Sequence, residues 1–346
     1  MKRDLHKSTN PQASIDEAWN LKVGSVIDVR SPAEFDSGHM PNAVNIPLLA
    51  NNERKTVGIL YKEFGRDKAI DQGYQFAGSK LNYLSEQYET LRNKPAIIVY
   101  CARGGMRSQV VTAFLRHLGF PARQMTGGYK GFRNWNLQQL DQFKINHPIV
   151  LHGQTGVGKT LVLDRLSNSL DLEQIAAHRG SIIGALGKKP VTQKTFEAEL
   201  LKKLLQLDNS KAMYIEGESR KIGDVSIPNS IFSQMRASKA LLLEASMKTR
   251  VARTVDEYIT KQPDHKHIVR KTIFQLTNDL GKKPIARLID LFDTENYAEC
   301  FEYILTNYYD RKYSHSMKKF NFARKISTEN LDQARNEILD FANSII

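Results

Sequence analysis

The sequence predicts an α/β protein built from two consecutive domains, each a parallel sheet flanked by helices, followed by a helical C-terminal tail. Three observations carry this. The β-branched run Lys94-Pro-Ala-Ile-Ile-Val-Tyr100 reads as a buried strand, and a glycine-rich turn joins it to Ser108–Leu118, where apolar residues recur at helical spacing. Further on, Pro148-Ile-Val-Leu-His152 and Thr160-Leu-Val-Leu-Asp-Arg-Leu-Ser167 repeat the arrangement, again with glycines between strand and helix. The stretch between them, Asn134–His147, is polar and partly helical, so residues 1–140 are assigned to the first domain, 141–147 to a linker, 148–310 to the second domain and 311–346 to the helical extension.

The first loop is Cys101-Ala-Arg-Gly-Gly-Met-Arg107. Cys101 stands where a strand hands over to a helix N-terminus, and there backbone N–H groups and the helix dipole favour an anion and stabilise a thiolate. Gly104 and Gly105 let the backbone wrap closely, while Arg103 and Arg107 add fixed positive charge. Cys101 is therefore the candidate catalytic residue. Arg103, Gly104, Gly105 and Arg107 form the candidate cradle for an anionic donor.

The second loop, Gly153-Gln154-Thr155-Gly156-Val157-Gly158-Lys159-Thr160, satisfies the full G-x-x-x-x-G-K-[ST] pattern and makes the second domain P-loop NTPase-like. Its backbone N–H groups would surround a diphosphate, Lys159 would neutralise it, and the Thr160 hydroxyl is a candidate Mg²⁺ ligand. Lys211–Arg220 reads as a buried strand ending in Glu216 and Glu218, either of which can hold Mg²⁺ as a Walker B acid does, although aspartate is usual there. No water-positioning residue for nucleotide hydrolysis is recognisable. The segment Ala177–Gly184 lacks periodicity, and its His178, Arg179 and Ser181, together with Arg220, are candidate substrate-loop residues. After the strand Lys239–Ala245 comes a basic helix around Arg250 and Arg253, which serves either as a lid or as a solvated face. Two anion cradles in one chain imply a two-site group-transfer enzyme.

Composition sets the surroundings of these loops. In 346 residues, 41% hydrophobic and 25% charged content is ordinary for a globular chain. The two cysteines, Cys101 and Cys300, exclude a disulfide scaffold, and Cys300 falls in the apolar pattern of Tyr297, Phe301 and Ile304, as a core residue would. Met1-Lys-Arg-Asp-Leu-His lacks a signal-like apolar run and no stretch reaches the length of a membrane span, so a reducing cytoplasm is the expected compartment. A net charge of +13, with basic excess in both halves, suits a polyanionic partner such as RNA. His265-Lys-His267 is too sparse for a metal site and reads as a solvated turn.

Ile27-Asp-Val-Arg-Ser-Pro-Ala-Glu-Phe35, Gly38-His-Met-Pro-Asn-Ala-Val-Asn-Ile-Pro47, the Cys101 loop and Gly127-Gly-Tyr-Lys-Gly131 resemble the successive signatures of a rhodanese domain. The resemblance implies a parallel α/β sheet and a loop cysteine that carries a transferred group. Asp28 and Arg30 then either brace that loop or form a buried ion pair holding the fold. The Cys-x5-Arg spacing from Cys101 to Arg107 is the longer loop of the phosphatase relatives of this fold, wide enough for a phosphorus-centred tetrahedron such as selenophosphate or a phosphate ester.

With the P-loop, Ala177–Gly184 and Ile215-Glu-Gly-Glu-Ser-Arg220, nearly the whole chain is similar to the tRNA 2-selenouridine synthase family, although Ile183 stands where that family usually has an aromatic. The resemblance implies a cytoplasmic transferase that converts wobble 2-thiouridine of tRNA to 2-selenouridine through an S-geranyl intermediate. Its substrates would be geranyl diphosphate at residues 153–160 and selenophosphate at the Cys101 loop, with no tightly bound cofactor. The implied partners are tRNA and the selenophosphate-producing enzyme, with no membrane. Three alternatives remain open: a Cys-x5-Arg phosphatase fused to a kinase-like domain, a sulfurtransferase with the same fusion, and a non-catalytic persulfide-binding adaptor.

Overall fold

A computed structural model of the chain describes residues 10–178, 191–317 and 320–345. Two units emerge, Met1–Gln139 and Leu140–Ile346. The division falls inside the helix Gly128–Gln142, one residue before the expected end of the first domain, and residues 143–147 carry neither helix nor strand before the next strand begins at Pro148.

In the first unit the strands are β1 (Gln12–Ala13), β2 (Ser25–Asp28), β3 (Val44–Asn45), β4 (Ile97–Tyr100) and β5 (Ala122–Met125). They form one parallel sheet in the order β1-β5-β4-β2-β3. All four residues of β4 are fully buried, as a strand covered on both faces requires, and this is why it reads as an unbroken apolar run. Its core joins Ile27, Val29, Tyr88, Val99 and Leu115. Parallel pairing sets Asp28 beside Tyr100, so both carboxyl ends reach the place where Cys101 begins its loop.

The second unit contains β6 (Pro148–Gly153), β7 (Ser169–Leu170), β8 (Met213–Glu216), the hairpin β9 (Lys221–Ile222) and β10 (Val225–Ser226), then β11 (Lys239–Glu244) and β12 (Phe322–Ser327). Its sheet is parallel, ordered β12-β11-β6-β8-β7. The chain leaves β6 toward β8 on one side and returns to β11 on the other. The phosphate loop thus lies at the carboxyl end of the strand where the winding reverses, the usual ligand position in such sheets.

The C-terminal region is helical only in part, and it is not an appendage. Residues Phe322–Ser327 complete the sheet as an edge strand, with Ile326 opposite Leu243. The helix Leu331–Asn343, capped by the Asn330 side chain, buries Ala334, Ile338 and Phe341 against Ile149, Leu151 and Leu241. Arg324 and Lys325 are exposed and only Ile326 of this strand is fully buried, so no alternating pattern marks it in the sequence. A second core is wholly helical and gathers Val251, Ile273, Leu288, Phe301 and Leu305 around Cys300, whose thiol burial pushes up to about 12. His265 and His267 lie at a turn and the helix start after it, with ring nitrogens 3.1 Å from Gln262 Oε1 and 3.0 Å from Asp264 O.

Because Ile338 is fully buried in the sheet core, Ile338→Ala should cost about 2–5 kcal/mol in denaturant unfolding of the second unit. A dispensable tail would give no change.

Candidate functional site

Two loops hold the candidate residues, one in each unit. In the first, Cys101 Sγ accepts the Gly105 N–H at 3.3 Å, and Gly105 caps the helix Met106–His117. Ser108 Oγ lies 3.2 Å from Sγ and 3.0 Å from Gly105 O, so its one proton serves either. The loop is gripped from behind. Cys101 O accepts from Tyr129 N at 2.8 Å, Ala102 O from Lys130 N at 2.9 Å, and Gly104 O from Gln124 Nε2 at 2.8 Å. Gly128, at φ +57°, allows this approach, since a Cβ there would stand 2.4 Å from Cys101 O.

Asp28 and Arg30 form a buried pair, with Arg30 Nη2 2.6 Å from Asp28 Oδ2 and 2.7 Å from Gly38 O. The same guanidinium lies 3.9 Å over the ring of Tyr129, whose N–H holds Cys101 O. Ion pair and loop brace are thus one assembly. Arg107, expected to add positive charge to the anion cradle, already has two of its nitrogens on Glu34 at 2.6 and 3.0 Å. Glu34 also accepts from Ser31 N at 3.1 Å at the start of the helix Pro32–Asp36. Burial raises its pKa, yet Arg107, Ser31 N and Arg54 together hold the Glu34 carboxyl down at about 2. Arg103 is exposed, leaving its guanidinium at the surface of the loop.

In the second unit, Gly156 and Gly158 take φ +82° and +88°, with Arg250 O and the Arg253 guanidinium packed 2.8 and 3.0 Å from where a Cβ would stand. Neither arginine belongs to a lid or a solvated face. Arg250 is buried, donates to Thr155 O at 2.9 Å and Gln154 Oε1 at 3.1 Å, and is anchored by Asp310 at 2.6 Å. Arg253 donates to Val157 O at 2.7 Å, and Thr328 Oγ1 meets that same carbonyl at 2.6 Å. Lys159 Nζ donates to Gly153 O at 3.2 Å. Burial opposes its charge, but Tyr313, Glu218, Glu173 and Glu216 keep the Lys159 ammonium above the usual lysine range.

Glu216 at the end of β8, Glu218 just beyond it and Glu173 of the helix Leu172–Ile175 bring carboxylate oxygens within 4.8 Å of one another. Burial, then the neighbouring acids Glu173, Asp171 and Glu218, raise Glu216 well above the usual carboxylate range. Burial likewise pushes Glu218 up to about 7 against the pull of Lys159. Glu216 Oε2 accepts from Glu173 N at 3.1 Å, whereas its Oε1 is buried with no hydrogen bond among the described residues. Thr160 is exposed at the loop mouth. His178 packs its ring on Gly223, and Arg220 is exposed. Arg179, Ser181 and Ile183 lie outside the described residues.

Sequence reasoning passed over Glu34, Ser108, Gln124, Glu173 and Thr328. For Glu34 the signal was the Ser31-Pro-Ala-Glu34 helix start, a capping pattern beside the cysteine loop in space but far from it in the chain. His152 was passed over too. It lies next to the end of β6, against Phe320 at 4.2 Å between rings, and burial followed by the Lys159 charge lowers it to about 4.

The fold and these sites define a cysteine-loop domain of the rhodanese class joined to a phosphate-loop domain. A family model described as the tRNA 2-selenouridine synthase AAA domain matches residues 146–344, and one described as a rhodanese-like domain matches residues 12–135. The tRNA 2-selenouridine synthase of Nitrosomonas europaea is 36% identical over 290 residues, 80% of this chain and 75% of that protein. Those of Hydrogenovibrio crunogenus and Shewanella woodyi are 33% and 31% identical, covering 89% and 91% of this chain and 93% of each relative. The chain belongs to the tRNA 2-selenouridine synthase family.

Two outcomes follow from this geometry. Glu34 titrates at about 2 in the fold against 4.5 for a free side chain, so the stability it contributes is complete above 4.5 and is lost as pH falls toward 2. The stability gap between the parent chain and Glu34→Gln, followed by thermal unfolding, should therefore close across that window. Arg250→Met strands Asp310 and the Thr155 carbonyl and should cost about 3–5 kcal/mol in denaturant unfolding, with partial recovery on adding Asp310→Leu.

Proposed function

We propose that this protein converts the wobble 2-thiouridine of tRNA to 2-selenouridine in the cytoplasm, through an S-geranyl-2-thiouridine intermediate. Family membership supports the overall conversion. The observation that carries the chemistry is a cysteine sulfur held by an amide N–H at a helix N-terminus, in a chain that also holds a complete phosphate loop.

In the first half-reaction the thiouridine sulfur attacks C1 of geranyl diphosphate. A C–S bond forms, the C–O bond breaks, and the N3 proton passes to solvent. Residues 153–160 receive the departing diphosphate, and Lys159, kept protonated by the acids around it, offsets the charge that develops there. Glu173, Glu216 and Glu218, with the Thr160 hydroxyl, would hold Mg²⁺. The unsatisfied Glu216 Oε1 fits that use. Such an ion would share in screening the diphosphate.

In the second half-reaction the Cys101 thiolate attacks the phosphorus of selenophosphate, forming S–P and breaking P–Se, and hydrogen selenide departs. Water then hydrolyses the S–P bond to thiol and phosphate. The selenide, as the monoanion HSe⁻, adds at C2 of the geranylated uridine and expels geranylthiol; its one proton and one from solvent end on the thiol and on N3. The exposed Arg103 meets the incoming anion, and the net charge of +13 holds tRNA. An enzyme that makes selenophosphate supplies the donor.

Nucleoside mass spectrometry separates the two halves. Cys101→Ala should abolish 2-selenouridine while geranyl transfer and tRNA binding persist. Lys159→Ala removes a counter-charge of about 2–5 kcal/mol, so geranyl transfer should collapse while pre-geranylated tRNA is still selenated. Equal loss of both half-reactions in both folded variants rejects the division of labour.

A further inference from the structure

In the first unit the helix Asn51–Glu63 runs for 13 residues without fully burying one, although Val57, Leu60 and Tyr61 share a face. Its partner Arg66–Gly78 buries only Ala69 and Ala77. Between these helices and the helix Met106–His117 opens a cavity of about 870 Å³, within the ~300–1,000 Å³ range of small-molecule sites. Its walls are apolar: Leu48, Leu49, Val57, Ile70, Ala77 and Val110. Met106 and Arg107, which follow Gly105 of the Cys101 loop at the start of that last helix, also line it. Around it stand Arg54, Lys55, Lys62 and Arg66, together with the rings of Tyr61 and Tyr74, which are 61% and 53% exposed.

Apolar walls within a basic, aromatic rim match one kind of ligand, a hydrocarbon group carried on a polyanion. Phosphates meet the cations, unstacked bases meet the tyrosines, and the hydrocarbon fills the interior. The cavity at the phosphate loop is smaller, about 400 Å³, and its lining includes Gln154, Lys159, Thr160, Glu173 and Glu216, the groups a diphosphate would meet. We propose that the cavity bounded by Val57, Ile70 and Val110 receives the geranyl group of the modified wobble nucleotide and presents its C2 to the Cys101 loop. This rests on the geranyl reading above. It adds that the thioether is recognised by its chain in the first unit, and that geranylthiol leaves from there.

The test fills the cavity from two walls, with Ile70→Trp and Val110→Trp in the full chain. Neither residue belongs to the anion loops. Binding is measured by calorimetry with an anticodon stem-loop bearing S-geranyl-2-thiouridine or S-methyl-2-thiouridine, and melting curves verify the fold. The parent chain should prefer the geranyl ligand at least ~30-fold, since burying several methylenes is worth that much, and either folded variant should erase the preference while S-methyl binding is kept. No preference in the parent chain, or an undiminished one in both variants, overturns the proposal. Selenophosphate turnover is scored separately. A chain-dependent preference without selenation of the geranylated stem-loop sinks the catalytic reading and leaves the cavity assigned.

Discussion

Both candidate anion loops depend on the same constraint: a tight loop can aim N–H groups at an anion only if its carbonyls are turned away and satisfied elsewhere. Every buried carbonyl without a partner costs about 1–3 kcal/mol, so the rear of such a loop needs donors. In the cysteine loop these are Gln124 Nε2 and the amides of Tyr129 and Lys130. In the phosphate loop they are Arg250, Arg253, Thr328 and Lys159 itself. The two solutions differ in charge. The first loop is backed by neutral groups, and its Arg30 acts one step away through the Tyr129 ring. The second is backed by guanidinium groups, which add positive potential where a diphosphate would lie.

This constraint explains why distant segments of the second unit cannot be separated from its loop. The C-terminal strand delivers Thr328 to the Val157 carbonyl, and Arg253 in turn donates to Thr328 O at 2.5 Å. Asp310, at the start of the helix Asp310–Met317, fixes Arg250 by two hydrogen bonds of 2.9 and 2.6 Å. The helical core around Cys300 thus supports the loop through its own packing. An arginine ordered on both sides loses less freedom per contact than a lysine would, which suits guanidinium to this post.

Legibility in the sequence followed locality. Cys101–Arg107 and Gly153–Thr160 were readable because strand, glycines and helix are consecutive, so the chemistry and its scaffold share one stretch of chain. The buried Asp28–Arg30 pair was within reach for the same reason. Glu34 lies 73 residues from Arg107 and Thr328 lies 171 from Val157, and no periodicity links them. Arg250 and Arg253 look in sequence like any basic helix face, because burial of a charge shows only when its partners are in place. The edge strand Phe322–Ser327 was hidden by its exposed arginine and lysine, the same residues that keep a sheet edge from pairing with another chain.

The acids beside Lys159 set the remaining condition on the second site. Three carboxylates within 4.8 Å cannot all be ionised next to a diphosphate without a matching cation, because in a poorly solvated cluster each added negative charge raises the cost of the next. Burial and the neighbouring acids push Glu216 far up and burial pushes Glu218 to about 7, while these same acids hold the Lys159 ammonium above the usual lysine range. A bound divalent cation would reverse the balance, deprotonating the acids and freeing the Lys159 ammonium for the substrate. A divalent cation held there would therefore link cation, proton and diphosphate in one equilibrium.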